Sequence, residues 1–253
     1  MVELRIKDGI AGIFLNRPEK SNALSSLVLE ELHSKLTQID RDPGLRVAVL
    51  AGHGKSFCGG ADIHEMSTLE ASTAAAFIGK IHACCDAIRK LRVPVVARLH
   101  GAVIGAGLEL AASCDLRIAA EGTRFAMPEV QLGMPSVVEA ALLPRLVGAG
   151  RAARLVLTGE AIDAQTALAW GLVEELAPLA ALDERIGQLL ERLAAADPVA
   201  LAAQKALLRL WQEAPLAEAV AASIGIYAMA YESGAPNERL RATISRGTGT
   251  KEH

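Results

Sequence analysis

The sequence predicts an α/β fold: a largely parallel sheet with helices outside it, followed by a helical C-terminal part. Two observations carry this. Short apolar runs at residues 47–51, 93–97 and 116–119 alternate with longer segments whose apolar residues recur at helical spacing, and alternation of strand with helix points to parallel pairing. Beyond Ala180 the chain is rich in alanine and almost wholly helical, broken at Asp197-Pro198, Ala214-Pro215 and Gly234-Ala235-Pro236.

The chain opens with a strand over Val2–Lys7, turns at Asp8-Gly9 and returns over residues 10–16, because Asp-Gly between apolar runs specifies a hairpin. A polar loop follows over residues 17–22. Leu27, Leu29, Leu32, Leu36 and Ile39 then mark one face of a helix that Asp42-Pro43-Gly44 stops. Residues 47–51 form a short buried strand, and a glycine-rich loop leads to a second long helix over residues 69–91. The next strand begins at Val93. A glycine-containing turn, a helix over residues 105–113 and a strand over 116–119 repeat the pattern. Helices follow over residues 136–147, 151–157 and 164–170. A boundary near Asp197 divides the chain into a core, 1–196, and a helical region, 197–253.

The 253 residues are 51% hydrophobic and 22% charged, a balance able to bury a large core. The formal charge of −3, from 26 basic and 29 acidic side chains, provides no field for a polyanion. No nucleic-acid partner is expected, and any anionic ligand must be held locally. Met1-Val2-Glu3-Leu4 leads directly into a strand pattern without signal or transit character, so the cytoplasm is the expected location. The most apolar region, residues 93–113, contains Arg98, His100, Glu109 and several glycines, which speaks against a membrane span. Cys84 and Cys85 are adjacent, Cys58 and Cys114 are isolated, and no Cys-x-x-Cys spacing occurs. All four read as reduced thiols, with core packing for Cys84 or Cys85 and no metal site.

Two glutamates carry the chemical interest. Glu109 follows Gly105-Ala106-Gly107-Leu108 and Glu129 follows Met127-Pro128, while Phe57-Cys58-Gly59-Gly60-Ala61-Asp62 has the same glycine-rich character. Glycine admits close backbone approaches that a Cβ would block. Two loops therefore offer backbone N–H donors beside a pair of carboxylates, the equipment for polarising a carbonyl and moving protons next to it. Gly101, Gly105 and Gly107 do not make a dinucleotide fingerprint, because Leu110 stands at the third glycine position and no Gly-Lys-Ser/Thr phosphate loop exists. Glu109 lies in a first helical turn, where its bland role is to complement the dipole. Its neighbours Leu108, Leu110, Ala111 and Ala112 are apolar, so its carboxylate must find a partner or shift its pKa.

Asn16-Arg17-Pro18, Asn22-Ala23-Leu24, the 57–63 loop, His100-Gly101-Ala102-Val103-Ile104-Gly105-Ala106-Gly107-Leu108-Glu109-Leu110, Cys114-Asp115, Pro128-Glu129, Leu157-Thr158-Gly159 and Trp170-Gly171-Leu172-Val173 follow in one order. In that order the chain resembles the enoyl-CoA hydratase/isomerase (crotonase) superfamily. The resemblance implies a crotonase-like spiral of β-β-α units with a C-terminal helical trimerisation region, assembled as a homotrimer or a dimer of trimers. It implies an enoyl-CoA hydratase, of the kind found in fatty acid metabolism, that adds water to a 2-enoyl-CoA thioester through an oxyanion-stabilised enolate. The backbone N–H groups of Ala61 and Ala106 would form the oxyanion hole. Glu109 and Glu129 would activate the water, with Glu129 supplying the proton to Cα. The alternative is an isomerase, which commonly keeps only the acid matching Glu129, or another crotonase-type CoA lyase or hydrolase. CoA is part of the substrate, so no separate cofactor is implied.

By the same resemblance Lys20, Ser21 and Lys55 match positions at the nucleotide end of CoA. Ala61, Asp62, Ile63 and His64 match an adenine-binding strand, and Gly105 belongs to the same substrate-binding set. His64 replaces a common lysine and reads as a solvated surface residue. Residues 134–146 depart from the usual glycine-rich loop and place Glu139 where small residues normally surround the acyl group. Ser136-Val137-Val138-Glu139 has the spacing of a capping box, which is the preferred reading of Glu139, with an acyl-pocket role as the other. Near the C-terminus Thr243 stands where an aromatic residue is usual, and Arg246 is a candidate phosphate contact.

Overall fold

Asp8 and Gly9 both take positive φ, 51° and 76°, the mirror-image turn that matches the twist of a two-residue hairpin. It joins β1 (Val2–Lys7) to β2 (Ile10–Leu15) in antiparallel register. The computed structural model containing this hairpin describes residues 1–248, and the chain divides into two compact units between Ala195 and Ala196.

In the first unit, α1 (Ser26–Arg41) starts at Ser25, whose side chain accepts from the Val28 amide. Its buried face is Val28, Leu29, Leu32, Leu36 and Ile39. Leu27, expected on that face, is exposed, because it lies one residue, about 100°, out of phase with Val28. Then come β3 (Val47–Gly52), the one-turn α2 (Ile63–Met66), α3 (Ala71–Lys90), β4 (Val95–Leu99), β5 (Ala102–Ile104), α4 (Ala106–Ser113), β6 (Leu116–Ala120) and β7 (Arg124–Ala126). After 3-10 turns at Glu129–Leu132 and Val138–Leu142 follow α5 (Leu143–Val147), α6 (Ala149–Thr158), β8 (Ile162–Asp163), α7 (Ala164–Trp170), β9 (Glu175–Ala177) and α8 (Leu182–Ala194). The second unit holds α9 (Pro198–Glu213), α10 (Leu216–Ala230) and α11 (Ala235–Thr248). Asp197 caps α9 through the amides of Val199 and Ala200.

The larger sheet runs β1-β2-β3-β4-β6-β9 and is parallel beyond the opening hairpin. A smaller sheet, β5-β7-β8, stands beside the site. β3 shows the two-sided burial of a parallel strand. Ala48 and Leu50 join the core beneath α1, α3 and α4, whereas Val47 and Val49 pack with Leu182, Ile186 and Leu190 of α8. All four cysteines are buried thiols.

The helix expected over residues 136–147 is instead the 3-10 turn Val138–Leu142 running into α5, and its N-cap is Val137 with no side-chain bond. The capping box of Ser136 and Glu139 does not form. Ser136 Oγ donates to Glu129 Oε2 at 2.8 Å, and Glu139 is buried against His82. The local pattern fails because Val138 has φ 42°, outside helical backbone.

Arg117 on β6 fastens the end of α4 to the chain before β9. It is buried, donates to Leu172 O at 2.9 Å and Cys114 O at 2.7 Å, and pairs with Glu174. Removing one member of such a network leaves the others without partners. Arg117→Leu should lower the unfolding free energy by about 3 kcal/mol, read by urea denaturation. A change within about 0.5 kcal/mol would show that these bonds add nothing net to stability.

Candidate active site

The site begins where β5 gives way to α4. Gly105 has φ 51° and ψ −122°, outside every region open to a residue with a Cβ, and a Cβ there would collide with Glu129 Oε1. All eight residues of α4 are buried, which puts Glu109, in its first turn, away from water. Glu109 Oε1 accepts from the Ala140 amide at 3.2 Å. Burial pushes its carboxyl up to about 8, the Glu129 and Glu139 charges add to the rise, and the Ala140 amide offsets part of it. Glu129 opens the 3-10 turn Glu129–Leu132 and is steadied by Ser136.

The second loop is tied to the first by main-chain bonds. Cys58 N donates to Ala102 O and Ile104 N to Cys58 O, both at 3.0 Å. Leu24 N donates to Gly60 O at 2.8 Å, and Asp62 N to Leu24 O at 3.0 Å. Gly60, at φ 103°, sits so close to β5 that a Cβ would lie 3.0 Å from Ile104 O. Ala61 and Ala106 thereby line one cavity of about 100 Å³ with Glu109 and Glu129. Among the described residues, neither the Ala61 nor the Ala106 amide has an acceptor. The other walls are apolar, including Ile63, Met66, Ile78, Ile81 and Val137. Such a cavity can take a carbonyl oxygen on two amides and hold a small polar molecule between two carboxylates.

The family described as enoyl-CoA hydratase/isomerase matches residues 5–236. The chain belongs to the enoyl-CoA hydratase/isomerase (crotonase) superfamily. It is 34% identical over 236 residues to the 2,3-dehydroadipyl-CoA hydratase of Escherichia coli K12, covering 92% of this chain and 91% of that protein. It is 39% identical over 167 residues to "Probable enoyl-CoA hydratase echA8" of Mycobacterium bovis, and that match spans 66% of this chain and 64% of the relative. The crystal structure of an enoyl-CoA hydratase from Mycobacterium smegmatis superposes with a TM-score of 0.94 at 30% identity, covering 97% of this chain and 96% of that one. The crotonase fold, with its β-β-α units and C-terminal helices, is thus common to this chain and its relatives.

Against that crotonase frame, Glu109, Glu129, Ala61, Ala106, Ile63 and Gly105 meet at the cavity, whereas Lys20, Ser21, Lys55, Asp62, His64 and Glu139 do not line it. Lys20, Ser21 and Lys55 are exposed on loops that Asn22 ties together: its Nδ2 bonds the carbonyls of His53, Ser56 and Phe57. Asn22 is buried with φ 57°, and its organising part was visible only as one letter of a family motif. The expected adenine-binding strand over residues 61–64 is instead an isolated bridge between Ala61 and Leu24 followed by α2. Asp62 caps α2 and pairs with Arg17 at 2.5 Å. His64 is exposed. Thr243 donates to Arg239 O, and the side chain of Arg246 lies outside the described residues.

The buried state of Glu109 sets a pH dependence of stability. Its folded value of about 8 stands above the ordinary 4.5, so its contribution is fully present below about pH 4.5 and is lost as pH rises through about 8. Glu109→Gln, which mimics the neutral form, should match wild type in thermal stability near about pH 4.5 and exceed it increasingly toward about pH 8. A constant difference between the two melting temperatures across that range would mean that Glu109 is not raised.

Proposed function

We propose that this protein is a 2-enoyl-CoA hydratase that works through an oxyanion-stabilised enolate. The observation that carries the reading is that Glu109 and Glu129 share one small cavity with two amides that have no acceptor. In this mechanism the Ala61 and Ala106 N–H groups hold the thioester oxygen, and the positive end of α4 favours the charge that develops there. A water lies between the two carboxylates. Glu109 brings one proton to the pair at neutral pH, consistent with its raised pKa.

That proton passes through the water to Glu129, and Glu109 becomes the base. The water oxygen then bonds to Cβ while its proton goes to Glu109, the double-bond electrons move into the enolate, and Glu129 protonates Cα. The pair ends with the single proton it started with. An isomerase needs one carboxylate to carry a proton along the acyl chain, and the desolvation of a second would then serve nothing. The thioester supplies the activation, so no separate cofactor enters. Lys20, Ser21 and Lys55 remain the proposed nucleotide-end contacts, and the cytoplasm the proposed location. Among the described residues no helix is long and apolar enough to cross a membrane.

Glu109→Gln and Glu129→Gln should each lower kcat for hydration about 10²- to 10⁴-fold, with CoA-ester affinity retained. Steady-state rates on a panel of 2-enoyl-CoA thioesters, with calorimetric binding of an acyl-CoA, make the test. Near-normal hydration by Glu109→Gln would favour the isomerase reading.

The second unit supports assembly as a homotrimer or a dimer of trimers. Leu216, Val220, Ile224, Tyr227, Met229 and Ile244 are exposed, and α9, α10 and α11 enclose an apolar groove of about 740 Å³. Apolar surface on this scale favours association. Sedimentation velocity at micromolar concentration should give a trimer or hexamer, and a stable monomer would refute it.

A further inference from the structure

Glu139 is the buried carboxylate to which the proposed chemistry gives no task. It is 5% exposed, its Oε1 lies 2.8 Å from His82 Nδ1, and its Oε2 has no hydrogen-bond partner among the described residues. An ionised carboxylate only accepts, so Nδ1 is the donor. A half-satisfied carboxylate in the interior is costly, and groups of this kind cluster at functional sites.

Its two neighbours in sequence are also unusual. Val138 holds φ 42°, a left-handed conformation that a β-branched residue adopts only when its surroundings impose it. Ala140 donates its amide to Glu109 Oε1. Three consecutive residues therefore carry a strained backbone, a buried anchor and a donor to Glu109. The anchor's partner, His82, comes from α3 and is 55% exposed, and neither His82 nor Glu139 lines the cavity.

We propose that the His82–Glu139 contact is a latch, holding the strained turn at residues 137–140 so that the Ala140 amide positions Glu109 for proton transfer. His82 and Glu139 are then positioning residues. The kinetic consequence rests on the hydratase reading above, whereas the consequence for Glu109 itself does not.

The charged and titratable groups around Glu109 are Glu129, Glu139 and Cys85, and those around Glu139 are His82, Glu109 and Cys85. Burial, then the Glu139 charge, pushes the Cys85 thiol well above its ordinary range, so it stays neutral. The two members of the latch act on Glu109 with opposite signs. Loss of His82 frees the turn and leaves the Glu139 carboxylate without its Nδ1–H donor, and both effects disfavour ionised Glu109. Glu139→Gln keeps an oxygen for His82 Nδ1 and removes the charge, which favours it.

Carbon-13 NMR of the side-chain carboxyls in the unliganded full-length protein reads the Glu109 midpoint, its resonance being assigned by its loss in Glu109→Gln. His82→Ala should move that midpoint up, and Glu139→Gln should move it down, each by about 0.5 pH unit or more. His82→Asn, whose amide N–H can take the place of Nδ1, should return it toward wild type. With trans-2-butenoyl-CoA, His82→Ala should lower kcat about tenfold and change KM less than about twofold. An unmoved midpoint in folded His82→Ala, or shifts of one sign in both variants, would overturn the latch. Opposite midpoint shifts in a protein that hydrates no thioester would support the latch and refute the hydratase reading instead.

Discussion

Where α4 begins, its first turn lies so close to the upstream loop that a Cβ on Gly107 would sit 2.6 Å from Cys58 O. That approach, together with the two main-chain bonds from Cys58 to β5, makes one rigid piece of two loops almost fifty residues apart in sequence. Ala61 stands three residues past Cys58 and Ala106 two past Ile104, so both amides inherit their positions from the same ladder. Cys58 itself is an inert spacer, since burial pushes its thiol up to about 12. A side chain at position 107 would part the loops and separate the two amides before it touched any group with chemistry of its own.

The elements legible in the sequence are those whose pattern is local. β1 to β4, β6 and the long helices each bring enough apolar residues in one periodicity to declare themselves. The strands β5, β7, β8 and β9 were not, being two or three residues long. They exist because distant partners complete their bonds, as Arg124, Phe125 and Ala126 do for Ala102, Val103 and Ile104, and no window of sequence contains that information. Leu27 was misplaced for the converse reason: a run of leucines fixes the presence of a helix better than its phase.

The site divides the same way. Glu109 is legible because a charge among apolar neighbours must be explained, and Glu129 only in its company, since an acid after Pro128 taken alone reads as an ordinary loop residue. Ala61 and Ala106 are not legible as residues at all, because what they offer the cavity is main-chain amide, and only the motif resemblance points to them. Glu139 was misread because the capping-box rule presupposes an ordinary helix start. Here the hydroxyl that would have capped, Ser136, serves Glu129 instead, and the backbone between them is bent away from helical geometry at Val138. The third carboxylate, Glu139, therefore fits neither the cap nor the acyl-pocket reading.

Gly105 shows why a glycine-rich strand-to-helix turn need not mean a nucleotide. In a phosphate loop the missing Cβ and the exposed helix amides make room for an external anion. At this turn the space that a Cβ would fill is taken by Glu129 Oε1, so the anion near the start of α4 is supplied by the protein. Its charge is one cause of the high pKa of Glu109 on the same helix, second only to burial. The empty side of one glycine thus brings the second carboxylate close enough to add to the rise that burial begins, and in the proposed reaction that rise leaves the pair one proton to give and take back in each turnover.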